Sequence, residues 1–133
     1  MQQPLNEILL IDDDRSTNFL HQLILERAGI CEKIEVKSSA TQALEYLKRI
    51  EENGVKPPDL IFLDLNMPIK NGWEFLEDFQ ALHLAKPPIV ILSTSMNPAD
   101  HRRAVEEEVV RGFWQKPLSE ETLQEVISNV SNL

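Results

Sequence analysis

Cysteine is almost absent from this chain, and the features that the sequence lacks exclude several classes of protein. With one cysteine, Cys31, among 133 residues, no intramolecular disulfide can form, and the three histidines show no spacing typical of a zinc site. No apolar run approaches the roughly 20 residues that cross a bilayer. The N-terminal segment has no basic stretch followed by an apolar core, which a signal peptide requires. We therefore expect a soluble, cytoplasmic protein with no membrane partner.

Basic residues are also scarce. The chain has 13 lysines and arginines against 22 acidic residues, which gives a formal net charge of −9. Because nucleic-acid binding depends on clustered positive charge, we expect no nucleic-acid partner. Hydrophobic residues make up 42% of the chain, and this share, together with the length, is typical of one globular domain.

Apolar and polar residues follow each other in a pattern that predicts five strand–helix repeats. Short apolar runs that stop at polar residues indicate buried parallel strands, and each run precedes apolar residues at helical spacing. The predicted strands span 8–11, 33–37, 60–64, 89–92 and 112–115. The expected fold class is α/β, with a doubly wound, parallel, five-stranded sheet in the flavodoxin-like order 2-1-3-4-5. We expect one domain over residues 1–133, a core at about 7–132, and no output domain.

The first predicted helix contains an apolar stripe that we expect to face the sheet. Its members are Phe19, Leu20, Leu23, Ile24 and Ala28. We interpret His21, His83 and His101 as surface residues. Asp14 is interpreted as a solvent-facing residue at the start of this helix, and the acidic run 106–108 as a solvated helix face.

Several predicted strands end at a residue that carries chemistry. The first delivers Asp12 and Asp13, the third Asp64, the fourth Ser93 and the fifth Lys116. In an open α/β sheet these positions share the edge where ligands bind, and three carboxylates gathered there would repel one another. Mg²⁺ relieves such repulsion because it binds one or two carboxylates and keeps several waters. A carboxylate beside that metal is suited to attack a phosphoryl group, whose oxygens an ammonium and a hydroxyl would stabilise.

These residues resemble the CheY-like, single-domain receiver of response regulators. The resemblance runs from about residue 7 to 132, and it depends on short motifs in a fixed order at the strand ends. The motifs are IDD (Ile11–Asp13), FLDLNMP (Phe62–Pro68), NG (Asn71–Gly72), LST (Leu92–Thr94) and KP (Lys116–Pro117).

The resemblance implies a role for each matched residue. Asp64 would be the phosphoacceptor, and Lys116 would pair with it before phosphorylation and with the phosphoryl oxygens afterwards. Ser93 would be the switch hydroxyl that moves to meet the phosphoryl group. The metal, Mg²⁺ or Mn²⁺, would be held by Asp12, Asp13, Asp64 and the backbone carbonyl of Asn66.

Further positions carry structural expectations. Phe113 falls at the aromatic switch position, where a tyrosine is frequent in the family, and the Lys116–Pro117 bond would be cis. Pro68 and Gly72 serve loop geometry rather than chemistry. The segment 51–58 is longer than in compact chemotaxis-type regulators. Together with the STS that follows the fourth strand, it is similar to the small regulators paired with bacteriophytochrome kinases.

The implied function is that of a two-component phosphorelay response regulator. It would accept a phosphoryl group from a sensor histidine kinase or a phosphotransfer protein and signal through a separate effector protein. It would be a switch rather than an enzyme, because it catalyses only its own phosphotransfer and autodephosphorylation. A homodimer formed through the last helix and strand is left open.

Two alternative functions are weighed against this one. An adaptor with the receiver fold that needs no phosphorylation is disfavoured by the complete set of site residues. The sequence from Asp64 to Asn66 is also similar to the DxD motif of haloacid-dehalogenase-type phosphohydrolases. There, however, Asn66 replaces the second acid, and no segment of the chain is available as a cap domain.

Overall fold

The computed structural model describes residues 5–131 as five strands that alternate with five helices. The elements are β1 (Leu5–Ile11), α1 (Arg15–Ala28), β2 (Cys31–Lys37), α2 (Ala40–Asn53), β3 (Leu60–Leu63), α3 (Gly72–Gln80), β4 (Ile89–Ser93), α4 (Pro98–Glu106), β5 (Val110–Gln115) and α5 (Glu120–Ser131). The sequence predictions for residues 1–4 and 132–133 lie outside the described residues. None of the helices in the described part of the chain is both long and apolar enough to cross a membrane.

The strands form one parallel sheet in the order β2-β1-β3-β4-β5. This order and the alternation of strands and helices confirm the predicted α/β fold. Every residue of β3 and β4 is buried, as is usual for central strands of a sheet that is covered by helices on both faces. The edge strands β2 and β5 begin two residues earlier than the apolar runs predicted, and the inner strand β1 begins three residues earlier. The added residues are half-buried or exposed, so an apolar run did not reveal them.

Two apolar clusters cover the two faces of the sheet. Alternate residues along a strand point to opposite faces, so Ile61 and Leu63 join one cluster while Leu60 and Phe62 join the other. The first cluster includes α2, α3 and α4, and the second includes α1 and α5. The apolar stripe of α2 is buried in the first cluster: Ala43, Leu44, Leu47 and Ile50.

Of the apolar stripe expected on the inner face of α1, only Ile24 packs against the second cluster. Phe19 is 69% exposed, and Leu20 and Leu23 are exposed as well, whereas the buried residues of α1 are Asn18, His21 and Leu25. These three lie at helical spacing, but two are polar, so an apolar pattern did not reveal them. Hydrogen bonds described below satisfy Asn18 Nδ2 and His21 Nε2, which lowers the cost of burying them. Of the three histidines, only His83 and His101 are exposed.

The helices begin and end where short polar residues and glycines indicate. Asp14 is the N-cap of α1, and its carboxylate accepts a hydrogen bond from the Thr17 N–H at 3.1 Å. A hydrogen bond from the Thr17 hydroxyl, together with this backbone bond, lowers the pKa of Asp14. Gly29 and Gly54 follow α1 and α2 with φ of 63° and 64°, a left-handed conformation that glycine adopts without steric cost. Glu106 ends α4, and Glu107 is half-buried, so the run 106–108 is not one solvated helix face.

Candidate functional site

The carboxyl edge of the sheet brings together the polar residues that the sequence singled out. Backbone hydrogen bonds continue the ladder past the strand ends and hold these residues in place. The Asp64 N–H donates to the Ile11 carbonyl at 3.0 Å, and the Lys116 N–H donates to the Ser93 carbonyl at 3.1 Å. Asp64 therefore sits beside the end of β1, and Lys116 beside the end of β4.

Lys116 forms ion pairs with two buried carboxylates. Its Nζ lies 3.1 Å from Asp64 Oδ1 and 2.5 Å from Asp12 Oδ2. Because β5 is separated from β3 by β4 in the sheet, the long lysine side chain has to reach across the edge to make these contacts. The contact with Asp64 is the one that the family resemblance implied, whereas the shorter contact with Asp12 was not predicted.

Burial and neighbouring charges shift the pKa of both partners. Burial raises the pKa of Asp64, the Asp12 carboxylate raises it further, and the Lys116 ammonium partly opposes both effects. Burial by itself would lower the pKa of Lys116, but the contacts with Asp12 and Asp64 outweigh it and the net shift is upward. The lysine therefore stays protonated at neutral pH and offers a cation at the site.

Three carboxylates are close enough to hold one metal ion. Oxygen atoms of Asp12, Asp13 and Asp64 all lie within 4.8 Å of one another. Asp12 and Asp64 are buried, while Asp13 is exposed, so one side of the cluster is open to water. Carboxylate oxygens with adjacent water are the donor set that suits Mg²⁺, and the residues present fit that ion. The Asn66 N–H lies 3.4 Å from Asp64 Oδ1, which brings the Asn66 peptide to this cluster.

The loop between β3 and α3 packs tightly against Asp64. The Gly72 N–H donates to the Leu65 carbonyl at 2.9 Å. A Cβ atom at Gly72 would lie 2.7 Å from the Asp64 carbonyl oxygen and 2.9 Å from Leu65 Cα. Only glycine fits there without a shift of the backbone. The Pro68 carbonyl accepts from the Lys70 N–H at 2.8 Å, and this turn leads into α3.

Ser93 and Phe113, the expected switch residues, lie on neighbouring strands. Ser93 is fully buried, and its Oγ accepts a hydrogen bond from the Ser95 N–H at 3.0 Å. Phe113 is half-buried and packs against the exposed His101 of α4, with 3.9 Å between ring centroids. Trp114 points to the other face of the sheet and joins the cluster of α1 and α5. The Lys116–Pro117 bond is cis, as the resemblance implied.

Asn18 and His21 also reach the site, although the sequence analysis did not select them. Asn18 Nδ2 donates to the Asp12 carbonyl at 2.8 Å, and the Leu118 N–H donates to His21 Nε2 at 3.2 Å. Burial lowers the pKa of His21, which keeps its ring neutral. The sequence feature that could have identified these two residues is their helical spacing with Leu25, which places all three on one face of α1.

Comparison with known proteins matches the response regulator receiver domain to residues 8–128 of this chain. The probable methanogenesis regulatory protein FilR2 of Methanothrix harundinacea (strain 6Ac) is 33% identical, over 92% of this chain and 79% of its own length. A two-component response regulator from Cytophaga hutchinsonii has 30% identity and a TM-score of 0.89, covering 98% of this chain and 100% of that chain. The bacteriophytochrome response regulator RtBRR has 29% identity and a TM-score of 0.80, covering 95% of this chain and 78% of that chain.

The family match covers most of the chain and includes every strand end that contributes to the site. Members of this family are generally phosphoacceptor switches rather than true enzymes, so neither the adaptor nor the phosphohydrolase alternative is favoured. The order of the strands, the site geometry and the relatives agree: the chain belongs to the response regulator receiver domain family, and its role is in two-component signalling.

Proposed function

We propose that Asp64 is the phosphoacceptor of this regulator and that a sensor histidine kinase or a phosphotransfer protein is the donor. The observation that carries the proposal is the position of the Asp64 carboxylate. It contacts the Lys116 ammonium at 3.1 Å, and it belongs to the cluster of three carboxylates that fits a divalent cation. A nucleophile, a fixed cation and a metal site thus meet at one point, which is the arrangement that phosphoryl transfer requires.

In the transfer step, an Asp64 oxygen forms a bond to phosphorus while the bond between phosphorus and the donor imidazole nitrogen breaks. The donor ring, protonated on its other nitrogen, leaves as neutral imidazole. Lys116 Nζ and Ser93 Oγ each hold one phosphoryl oxygen and stabilise the charge on it. Asp12, Asp13, Asp64 and the Asn66 carbonyl would hold Mg²⁺ or Mn²⁺, which supplies further positive charge at the phosphoryl oxygens.

The phosphoryl group is removed from the same carboxylate by water. The attacking water forms a bond to phosphorus, the bond between phosphorus and the Asp64 oxygen breaks, and inorganic phosphate and a proton are released. The protein thereby catalyses only its own phosphorylation and autodephosphorylation. Lys116 and the metal site serve both steps because the charge develops on the same three phosphoryl oxygens.

The switch follows from a new hydrogen-bond acceptor for the Ser93 hydroxyl. In the unphosphorylated chain its oxygen accepts the Ser95 N–H. A phosphoryl group on Asp64 offers new oxygens to that hydroxyl, so the β4–α4 segment changes its packing. Phe113 contacts α4 through His101, which couples this change to the face formed by α4, β5 and α5. The result is a population shift between two packings of that face.

In this proposal the present chain is one receiver domain over residues 1–133 and is located in the cytoplasm. A separate effector protein reads the output of its switch. The receiver fold in this part of the proposal is supported by the Cytophaga regulator, which is similar over 98% of the present chain. The similarity to the bacteriophytochrome regulator RtBRR favours a kinase of the bacteriophytochrome type as the donor. The altered face would also be able to form a homodimer through α5 and β5.

The test is phosphorylation by acetyl phosphate in the presence of Mg²⁺, followed at once by intact mass measurement. We expect one phosphoryl adduct in the wild-type chain, and none in the Asp64→Asn variant or in the presence of EDTA. Asp59→Asn is the matched control, because Asp59 directly precedes β3 at its other end. Its carboxylate accepts the Asn6 and Glu7 N–H groups and pairs with Lys56, all away from the site. This control should form the adduct. An adduct that persists in Asp64→Asn, or a wild-type chain that forms none, would contradict the proposal.

A further inference from the structure

The two members of the shortest ion pair in the site come from strands that do not touch. Asp12 follows β1 and Lys116 follows β5, and the order β2-β1-β3-β4-β5 leaves two strands between them. The hydrogen bonds of the sheet therefore do not fix their relative position directly. Another element has to hold them together if the Lys116 ammonium is to stay at the carboxylates.

Helix α1 spans this gap with its polar inner face. Asn18 Nδ2 donates to the Asp12 carbonyl at 2.8 Å, and His21 Nε2 accepts the Leu118 N–H at 3.2 Å. One helix thus binds the backbone of Asp12 and the backbone two residues after Lys116. Both side chains are buried, so water does not compete freely for these hydrogen bonds.

The backbone around Lys116 is held at two points, and His21 provides the second. On one side the Lys116 N–H donates to the Ser93 carbonyl. On the other side the buried Leu118 has its N–H bound by His21. A buried N–H without a partner is costly, so the loss of His21 Nε2 would force the Leu118 peptide to move towards another acceptor. The Lys116 side chain would move with it.

We propose that His21 is a positioning residue for phosphotransfer, which holds the Leu118 peptide so that the Lys116 ammonium reaches Asp12 and Asp64. This inference depends on the proposed function, because it concerns the efficiency of phosphorylation of Asp64. The accepting Nε2 requires a neutral ring with its proton on Nδ1. His21 itself touches neither the phosphoryl group nor the metal, and it acts only through Lys116.

The experiment compares two substitutions of His21 with a control on the same helix. His21→Leu removes the acceptor and keeps an apolar side chain of similar reach, while His21→Gln places an amide oxygen near the position of Nε2. Leu25→Ala is the control, because Leu25 is fully buried in α1 but belongs to the apolar cluster only. The initial rate of adduct formation with acetyl phosphate and Mg²⁺ is measured well below the melting temperature of each variant.

We expect His21→Leu to lower the rate about tenfold, because one hydrogen bond and the placement of a charged group are lost. His21→Gln should recover the rate to within about twofold of wild type, and Leu25→Ala should keep the wild-type rate although it is less stable. Hydrogen exchange at the Leu118 amide should become faster in His21→Leu and stay slow in His21→Gln. A role limited to stability would instead leave His21→Leu at the wild-type rate, because every variant is folded under these conditions.

Two results would overturn this inference alone, namely a His21→Leu variant that is phosphorylated at the wild-type rate, or a rate that follows stability across all three variants. If His21→Leu does not fold, the ring nitrogens of the wild-type chain decide the question by ¹⁵N chemical shift. Nε2 is expected to be the unprotonated nitrogen, and a proton on Nε2 would overturn the inference. A wild-type chain that forms no adduct would overturn the proposed function, and the inference with it.

Discussion

Replacement of Gly72 by alanine tests whether the close packing behind Asp64 matters for both stability and function. The new Cβ would lie 2.7 Å from the Asp64 carbonyl oxygen and 2.9 Å from Leu65 Cα. Both atoms belong to the backbone, so a side-chain rotation cannot relieve the overlap. Such overpacking lowers the free energy of unfolding by about 1–3 kcal/mol. The better helix propensity of alanine offsets up to about 1 kcal/mol of this loss. We expect a net loss of about 1–2 kcal/mol in the free energy of unfolding.

Gly54→Ala is a control of similar cost at the opposite edge of the sheet. Nothing lies within 4 Å of a Cβ at Gly54, but its φ of +64° is strained for alanine, which costs about 1 kcal/mol or somewhat more. Urea denaturation gives the free energy of unfolding, and adduct formation with acetyl phosphate gives the rate. Gly72→Ala should lose stability and react about tenfold more slowly, since Asp64 is displaced. Gly54→Ala should lose only stability. Wild-type stability and rate in Gly72→Ala would refute the reasoning.

The remaining predictions concern the acidic residues of the site and its border. Burial raises the pKa of Asp64 above its usual 3.8. Because the Asp64 carboxylate is nevertheless ionised at neutral pH, it destabilises the folded chain there. Without metal, Asp64→Asn should therefore raise the melting temperature by a few degrees at pH 7. That gain should fade as the pH falls towards 3.8, and a gain that is constant with pH would contradict the cause given. Mg²⁺ at tenfold excess over its dissociation constant should stabilise the wild-type chain by about 1.4 kcal/mol, which raises its melting temperature. The Asp13→Asn variant should lose most of this rise in melting temperature. An unchanged rise would argue against Asp13 as a ligand. Asp14→Ala removes the N-cap of α1 and should cost about 1 kcal/mol while phosphorylation and the Mg²⁺ response stay normal, which denaturation and intact mass will check.

Local patterns of the sequence determined the fold class and the strand order. The apolar runs of β3 and β4 are short, unbroken and followed by helical repeats, and such strands in an α/β chain must be covered on both faces. Parallel connections are right-handed, so few arrangements remain. Because the strands run in the same direction, their ends meet at one edge, and the convergence of Asp12, Asp64 and Lys116 followed from the strand assignments alone.

The tertiary structure decided the features that depend on contacts between distant residues. The buried face of α1 is polar because Asn18 and His21 find partners at Asp12 and Leu118, and the second of these lies 97 residues away. An apolar pattern therefore selected Phe19 instead, although that residue is exposed. The sequence by itself determined which side chains reach the sheet edge, since strand direction and period are local properties. Only the folded chain decided which of them touch and which neighbours hold them, because a buried polar group is stable only beside a partner supplied by another element.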